Sequence, residues 1–136
     1  MTDKTVTVNK DSRQFGLPWE QEYGYVEAVR SGDTIRLAGQ VGHDEHGSFE
    51  VFQTTQAQMR QAYANVARLL EGDGATMENV VDEVLFVTDM GAAFPARAQC
   101  RQSVYGGKAI VCSTIVQVAR LAFPNLLVEI KCVAVL

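Results

Sequence analysis

The sequence predicts an α+β domain in which helices cover one face of a mixed sheet. Runs rich in β-branched and aromatic residues occur near the start, middle and end of the chain. Between them lie two segments with apolar residues every three or four positions. No linker or internal repeat divides the 136 residues, so residues 1–136 are read as one domain. A chain of that length buries roughly two-thirds of its unfolded surface, enough for a real core.

The elements follow in order. Thr5 to Asn9 alternates Thr and Val, a short strand signal that Phe15-Gly16-Leu17-Pro18 breaks into a loop. Tyr23 to Arg30 and Thr34 to Val41 flank Ser31-Gly32-Asp33 and read as a hairpin. After the polar turn Gly42 to Gly47, Thr54 or Thr55 caps a helix carrying Met59, Ala62, Tyr63, Val66, Leu69 and Leu70, which Gly72 and Gly74 stop. Val80 to Val87 has the composition of a buried strand. Ala92 to Tyr105 forms a second helix ended by Gly106-Gly107, and Ala109 to Ala119 and Leu126 to Leu136 are the closing strands. The order is β-β-β-α-β-α-β-β. Two helices cover one face of such a sheet, and self-association is the simplest cover for the other.

Composition removes several classes of function. A net charge of −4 opposes binding to nucleic acid, whose nonspecific affinity comes from clustered cations. The longest apolar runs fall far short of the ~20 residues of a membrane span. The first residues, Met1-Thr2-Asp3-Lys4-Thr5, lack the pattern of a secretory signal, so a cytoplasmic location is expected. Cys100, Cys112 and Cys132 are odd in number and widely spaced, which argues for reduced packing residues. His43 and His46 share one turn with Asp44 and Glu45, read as a solvated turn and not a metal site.

Glu129 is the most unusual residue, because it interrupts the apolar run Leu126 to Ile130. Two readings compete: a solvated or paired stripe with Lys131 on the same strand face, or an acid/base group at an interface. On the preceding strand, parity places Val111, Ser113, Ile115 and Gln117 on one face and Cys112 on the other, with apolar company that reads as core. Arg97 and Arg101 lie one helical turn apart, either on a solvated face or as an anion clamp.

Taken together, Tyr25, the segment Gly32 to Val41, Gln61 to Val66, Val84 to Met90, Ser113 to Leu121 and Leu127 to Ile130 resemble the reactive-intermediate deaminase family, Rid or YjgF, along nearly the whole chain. The resemblance implies a chorismate-mutase-like subunit whose sheets join in a trimeric barrel with three clefts between subunits. It also implies hydrolysis of enamines and imines to ketone and ammonia, with no metal or organic cofactor. Carried over, Glu129 is the acid acting around the attacking water, and Tyr25 and Gly39 line the cleft. The family's signature arginine, which holds a substrate carboxylate, falls at Ser113. A neighbouring cysteine position falls at Ile115, and a cleft asparagine at Ala98.

The expectation is therefore a cytoplasmic homotrimeric enamine/imine hydrolase of divergent specificity for a small-molecule substrate. Glu129 and Ser113 are its catalytic pair, with Tyr25, Gly39, Ile115, Arg97 and Arg101 as substrate contacts. The alternative is a non-catalytic trimeric small-molecule binding or regulatory protein. A ribonuclease role, also attached to the family, is disfavoured by the acidic charge.

Overall fold

Alternation along the last strand shows how the layers form: Val128, Ile130, Cys132 and Ala134 are buried, while Glu129, Lys131, Val133 and Val135 face away from the helices. The computed structural model describes residues 7–108 and 110–136. Its elements are β1 (Asp11–Arg13), α1 (Pro18–Tyr23), β2 (Ala28–Ser31), β3 (Thr34–Leu37), α2 (Thr55–Glu71), a 3₁₀ turn (Met77–Asn79), β4 (Val80–Val87), α3 (Met90–Tyr105), β5 (Cys112–Gln117) and β6 (Val128–Val135).

Six strands form one sheet in the order β1-β2-β3-β6-β4-β5. The β4–β5 pair is parallel, as the α3 crossover between them requires, and the other pairs are antiparallel. Helices α2 and α3 pack side by side on one face. Met59, Ala62, Val66 and Leu70 of α2 and Ala93 and Cys100 of α3 close over Ile35, Leu37, Leu85, Val87 and Ile130. Burying each of the larger of these side chains contributes roughly 1.5–3 kcal/mol. The α+β class, both long helices and the helix-covered face agree with the sequence reading.

The two long helices start on side-chain caps. The Thr54 hydroxyl accepts from Ala57 N at 3.1 Å, and the Asp89 carboxylate accepts from Ala92 N at 3.3 Å. Two polar residues of α2 then fasten loops to the helix layer. Gln58 donates to Phe52 O and Asn125 O and accepts from Leu127 N, while Asn65 donates to Val41 O and His43 O.

Several boundaries differ from expectation. Of the strand expected over Thr5–Asn9, Thr5 and Val6 lie outside the described residues. Thr7 to Asn9 is not strand, and pairing begins at Asp11. The expected loop after Phe15 contains α1, which starts on Pro18, a residue whose fixed φ suits the first helical position. The two hairpin strands shorten to Ala28–Ser31 and Thr34–Leu37, because the chain leaves the ladder at Gly39 and rejoins it through a bridge of Gln40 to Ile130. Ala109 lies outside the described residues, and β5 begins at Cys112.

Candidate functional site

The point where β3 leaves the ladder creates a pocket. Gly39 passes so close to β6 that a β-carbon there would lie 2.7 Å from the Glu129 carboxyl carbon. Only glycine lets the backbone approach the acid so closely. The resulting cleft, about 560 Å³, is lined by Trp19, Tyr23, Tyr25, Phe49, Phe123 and Glu129, with Ala38, Gly39, Val41 and Ala122 completing the wall. Stacking orders the aromatic rings: Trp19 lies 5.9 Å from Phe49 at 20°, and Phe49 lies 5.9 Å from Phe123. Glu129 is partly buried, and burial raises its pKa above the ordinary carboxylate value against the opposing charge of Lys131. Lys131 itself is exposed and donates to Leu37 O at 3.3 Å. Burial, reinforced by Glu27, Glu20 and Glu129, pushes the Tyr25 hydroxyl up to about 12, so it stays a hydrogen-bond donor at neutral pH.

Behind this wall sits a pair of buried carboxyl groups that the sequence reading missed. Glu20 and Glu27 are each 2% exposed. Glu20 accepts the backbone N–H groups of Phe15, Gly16 and Leu17 at 2.8–2.9 Å, which satisfies donors at the start of α1. Burial opposes its ionisation, but the bond from Glu27 and those three amides outweigh it and hold its carboxyl below the ordinary value. For Glu27, burial and then the hydrogen bond to Glu20 push the pKa to about 7. Two carboxyl groups bond to each other only when one keeps a proton, and Glu27 is the one that keeps it. Gln40 donates to Glu27 at 3.1 Å and so ties the pair to the segment beside Gly39.

A second polar cluster lies on the other side of the sheet, under the helices. Glu83, 2% exposed, accepts from Tyr63 Oη at 2.9 Å, Tyr105 Oη at 2.6 Å and Ser113 Oγ at 2.6 Å. The Arg97 guanidinium lies 3.8 Å from the same carboxyl and also bonds the Ser113 hydroxyl. Burial and the bonded Glu83 hold both tyrosine hydroxyls in their neutral, donating form.

Within one chain, the expected site residues fall on two faces of the sheet. Ser113 does not share a cleft with Glu129 within the chain. It pairs with Glu83 on the helix-covered face, whereas Glu129 pairs with Phe86 on the open face. Ile115 is likewise turned toward the helix layer and packs against the core. Arg97 reaches Ser113 and Glu83 within the chain, and Arg101 is exposed on α3. Cys112, read as core, is exposed, because the strand's alternation was right but the helices cover the Ser113 face. Cys100 and Cys132 are buried. Of the two histidines only His46 is solvated: His43 is buried edge-on against Phe15 and Trp19, and burial lowers its pKa.

A family model described as Endoribonuclease L-PSP matches residues 19–136, from the start of the aromatic wall to the end of β6. The chain belongs to this family, YjgF/Rid. Among curated Rid relatives, it is 38% identical over 68 residues to the RutC family protein YjgH of Escherichia coli, covering 50% of each chain. It is 32% identical over 72 residues to the 2-iminobutanoate/2-iminopropanoate deaminase of Dermatophagoides farinae, covering 53% of this chain and 56% of the relative. The chain thus spans about half the length of the curated relatives it matches. The crystal structure of Rv2704 from Mycobacterium tuberculosis, a YjgF/YER057c/UK114 member, superposes with a TM-score of 0.81 at 28% identity, over 94% of this chain and 100% of that one. The Rid fold is therefore present, and the Glu129 pocket opens on the sheet face that its two long helices leave uncovered.

Proposed function

We propose that this Rid-family chain hydrolyses imines and enamines, with Glu129 as its acid/base group in the aromatic pocket of a homotrimer. The observation that carries the reading is a carboxyl group partly buried against Gly39, whose pKa burial raises above the ordinary carboxylate value, the direction a proton-donating acid needs. The similarity to an iminobutanoate deaminase supports the same chemistry.

In the proposed reaction, protonated Glu129 gives its proton to the imine nitrogen. The carboxylate so formed takes a proton from water as the oxygen bonds to carbon. The carbinolamine then collapses: its nitrogen takes the proton back from Glu129, the C–N bond breaks, the carboxylate takes the hydroxyl proton as the C=O bond forms, and ammonia leaves a carbonyl product. An enamine enters the same route once its β-carbon has been protonated. Tyr25, held neutral, is a donor for the substrate or the water.

The trimer is supported by the open sheet face, where the exposed Val116 lies across from Phe86 and Val135 is exposed at the end of β6. Ser113 and Arg97 of the same chain lie behind the sheet, so they join Glu129 only if a second copy brings them.

The test is ammonia release from imines generated in situ by an amino-acid oxidase. Wild type should accelerate release, and Glu129→Gln should lower the rate by about 100-fold or more, the usual scale for a general acid/base. Equal release by both proteins would sink the assignment of Glu129. One observation favours a second reading, a binding or regulatory protein. The Ser113 hydroxyl is engaged by both Glu83 and Arg97, leaving it no free role in proton transfer. Tight ligand retention without ammonia release would select that reading.

A further inference from the structure

The pocket around Glu129 has a composition that selects ligands by charge. Its wall is a row of aromatic rings, Trp19, Phe49 and Phe123, extended by Tyr23 and Tyr25, and among the described lining residues Glu129 is the single acidic or basic side chain. Ring faces carry negative potential, which attracts cations and repels carboxylates. A further carboxylate, Glu20, stands behind Tyr25 and adds to the field felt there, while its partner Glu27 keeps a proton. Of the nearby cations, Lys131 points its ammonium at Leu37 O outside the lining, and the exposed Arg120 turns its guanidinium onto the carbonyls of Leu121 and the lining residue Ala122. The buried guanidinium of Arg97 is bonded to Ser113 and Glu83 on the other sheet face. Within one chain, an anionic head group entering this space therefore meets a carboxyl group and ring faces, while Lys131 and Arg120 are held on backbone carbonyls.

We infer that the pocket takes a small ligand with an aromatic or bulky apolar body and a neutral or cationic amidine-like or iminium-like head, and rejects the carboxylate analogue. The cleft, about 560 Å³, falls within the usual range for small-molecule sites, and its flat stacked wall suits a planar body. This inference rests on the proposed hydrolase only in using the same pocket. It assigns that site substrates that are imines of aryl or bulky apolar carbonyl compounds without a free carboxylate.

Trp19 is the one tryptophan of the chain and lines the pocket, so its emission reports occupancy directly. Phenylacetamidine, phenylacetamide and phenylacetate have nearly the same shape and differ in charge: cationic, neutral and anionic. Titrated into the full chain, the amidine should bind at least about tenfold tighter than the acetate, with the amide between them. In Glu129→Gln the advantage of the amidine should shrink to about twofold, while affinity for the amide stays. Phe123→Leu, at the solvent end of the aromatic row, should weaken all three alike and checks the wall without altering the acid.

Tighter binding of phenylacetate than of the amidine would overturn the inference. So would an amidine preference that persists in Glu129→Gln, or binding by calorimetry that leaves Trp19 emission unchanged. Failure of the hydrolase reading is separate: charge-selective binding with no ammonia release from aryl imines removes catalysis and leaves this selectivity standing. Ammonia release combined with preferred binding of phenylacetate does the reverse.

Discussion

Glu27 is the residue whose charge state the fold alters most visibly. Its carboxyl ordinarily loses its proton near pH 4.5 and in the folded chain does so at about 7. Between those values the native state holds a proton that the unfolded chain has released, so stability falls as pH rises through that window. Glu20 acts in the other direction: its lowered pKa contributes stability that is lost only as pH falls below its ordinary range. A tenfold change in proton affinity is equivalent to about 1.4 kcal/mol, so the Glu27 contribution is on the order of 1–3 kcal/mol. Glu27→Gln removes the titration while keeping a group that can bond both Glu20 and Gln40. Its melting temperature relative to wild type should rise between about pH 5 and about pH 8. A difference that stays constant with pH would show that Glu27 does not keep the proton.

At the scale of elements, the Glu83 cluster joins four of them: β4 supplies the carboxyl group, α2 Tyr63, α3 Tyr105 and Arg97, and β5 Ser113. A buried carboxyl group is tolerated there because donors surround it. Tyr63→Phe removes one hydrogen bond and should cost about 1 kcal/mol. Glu83→Ala leaves Arg97 and three hydroxyl groups without their acceptor and should cost about 3 kcal/mol or more. Denaturant unfolding of both variants checks the order. If Glu83→Ala cost no more than Tyr63→Phe, the cluster would not be holding the helices to the sheet. The pocket depends on elements in a similar way, because Gln58 and Asn65 of α2 fasten the loops beside its aromatic wall.

For the whole molecule, the open face of the sheet is the feature that a single chain leaves unfinished. Cross-strand rows of Glu129, Phe86 and Val116, and of Lys131, Val84 and Thr114, mix apolar side chains with the candidate acid. If three copies meet there, as proposed, a charge in the middle of the face should prevent it. Val116→Lys, at a site 37% exposed in the chain, is expected to convert a trimer to a monomer with an unchanged circular dichroism spectrum, as light scattering after gel filtration would reveal. A variant that remained trimeric would place the interface elsewhere. Ammonia release should fall together with assembly if a second copy completes the site.

Local pattern alone determined the α+β class, both long helices with a cap at Thr54 or Thr55 and the glycine stop after Tyr105, the β4 core strand, and the standing of Glu129 as an intruder in an apolar run. Spacing in the chain and cost of burial are local properties, so they are legible without coordinates. Glu83 interrupts its strand in the same way as Glu129, and that signal was available in the sequence. What pattern left open was which sheet face the helices cover, and that choice moved Ser113 and Ile115 away from Glu129 and exposed Cys112. The pairing of Glu20 with Glu27 and the gathering of Trp19, Phe49 and Phe123 into one wall also depended on it. Only the tertiary structure decided these, because alternation fixes which side chains share a face and packing between distant segments fixes what that face meets.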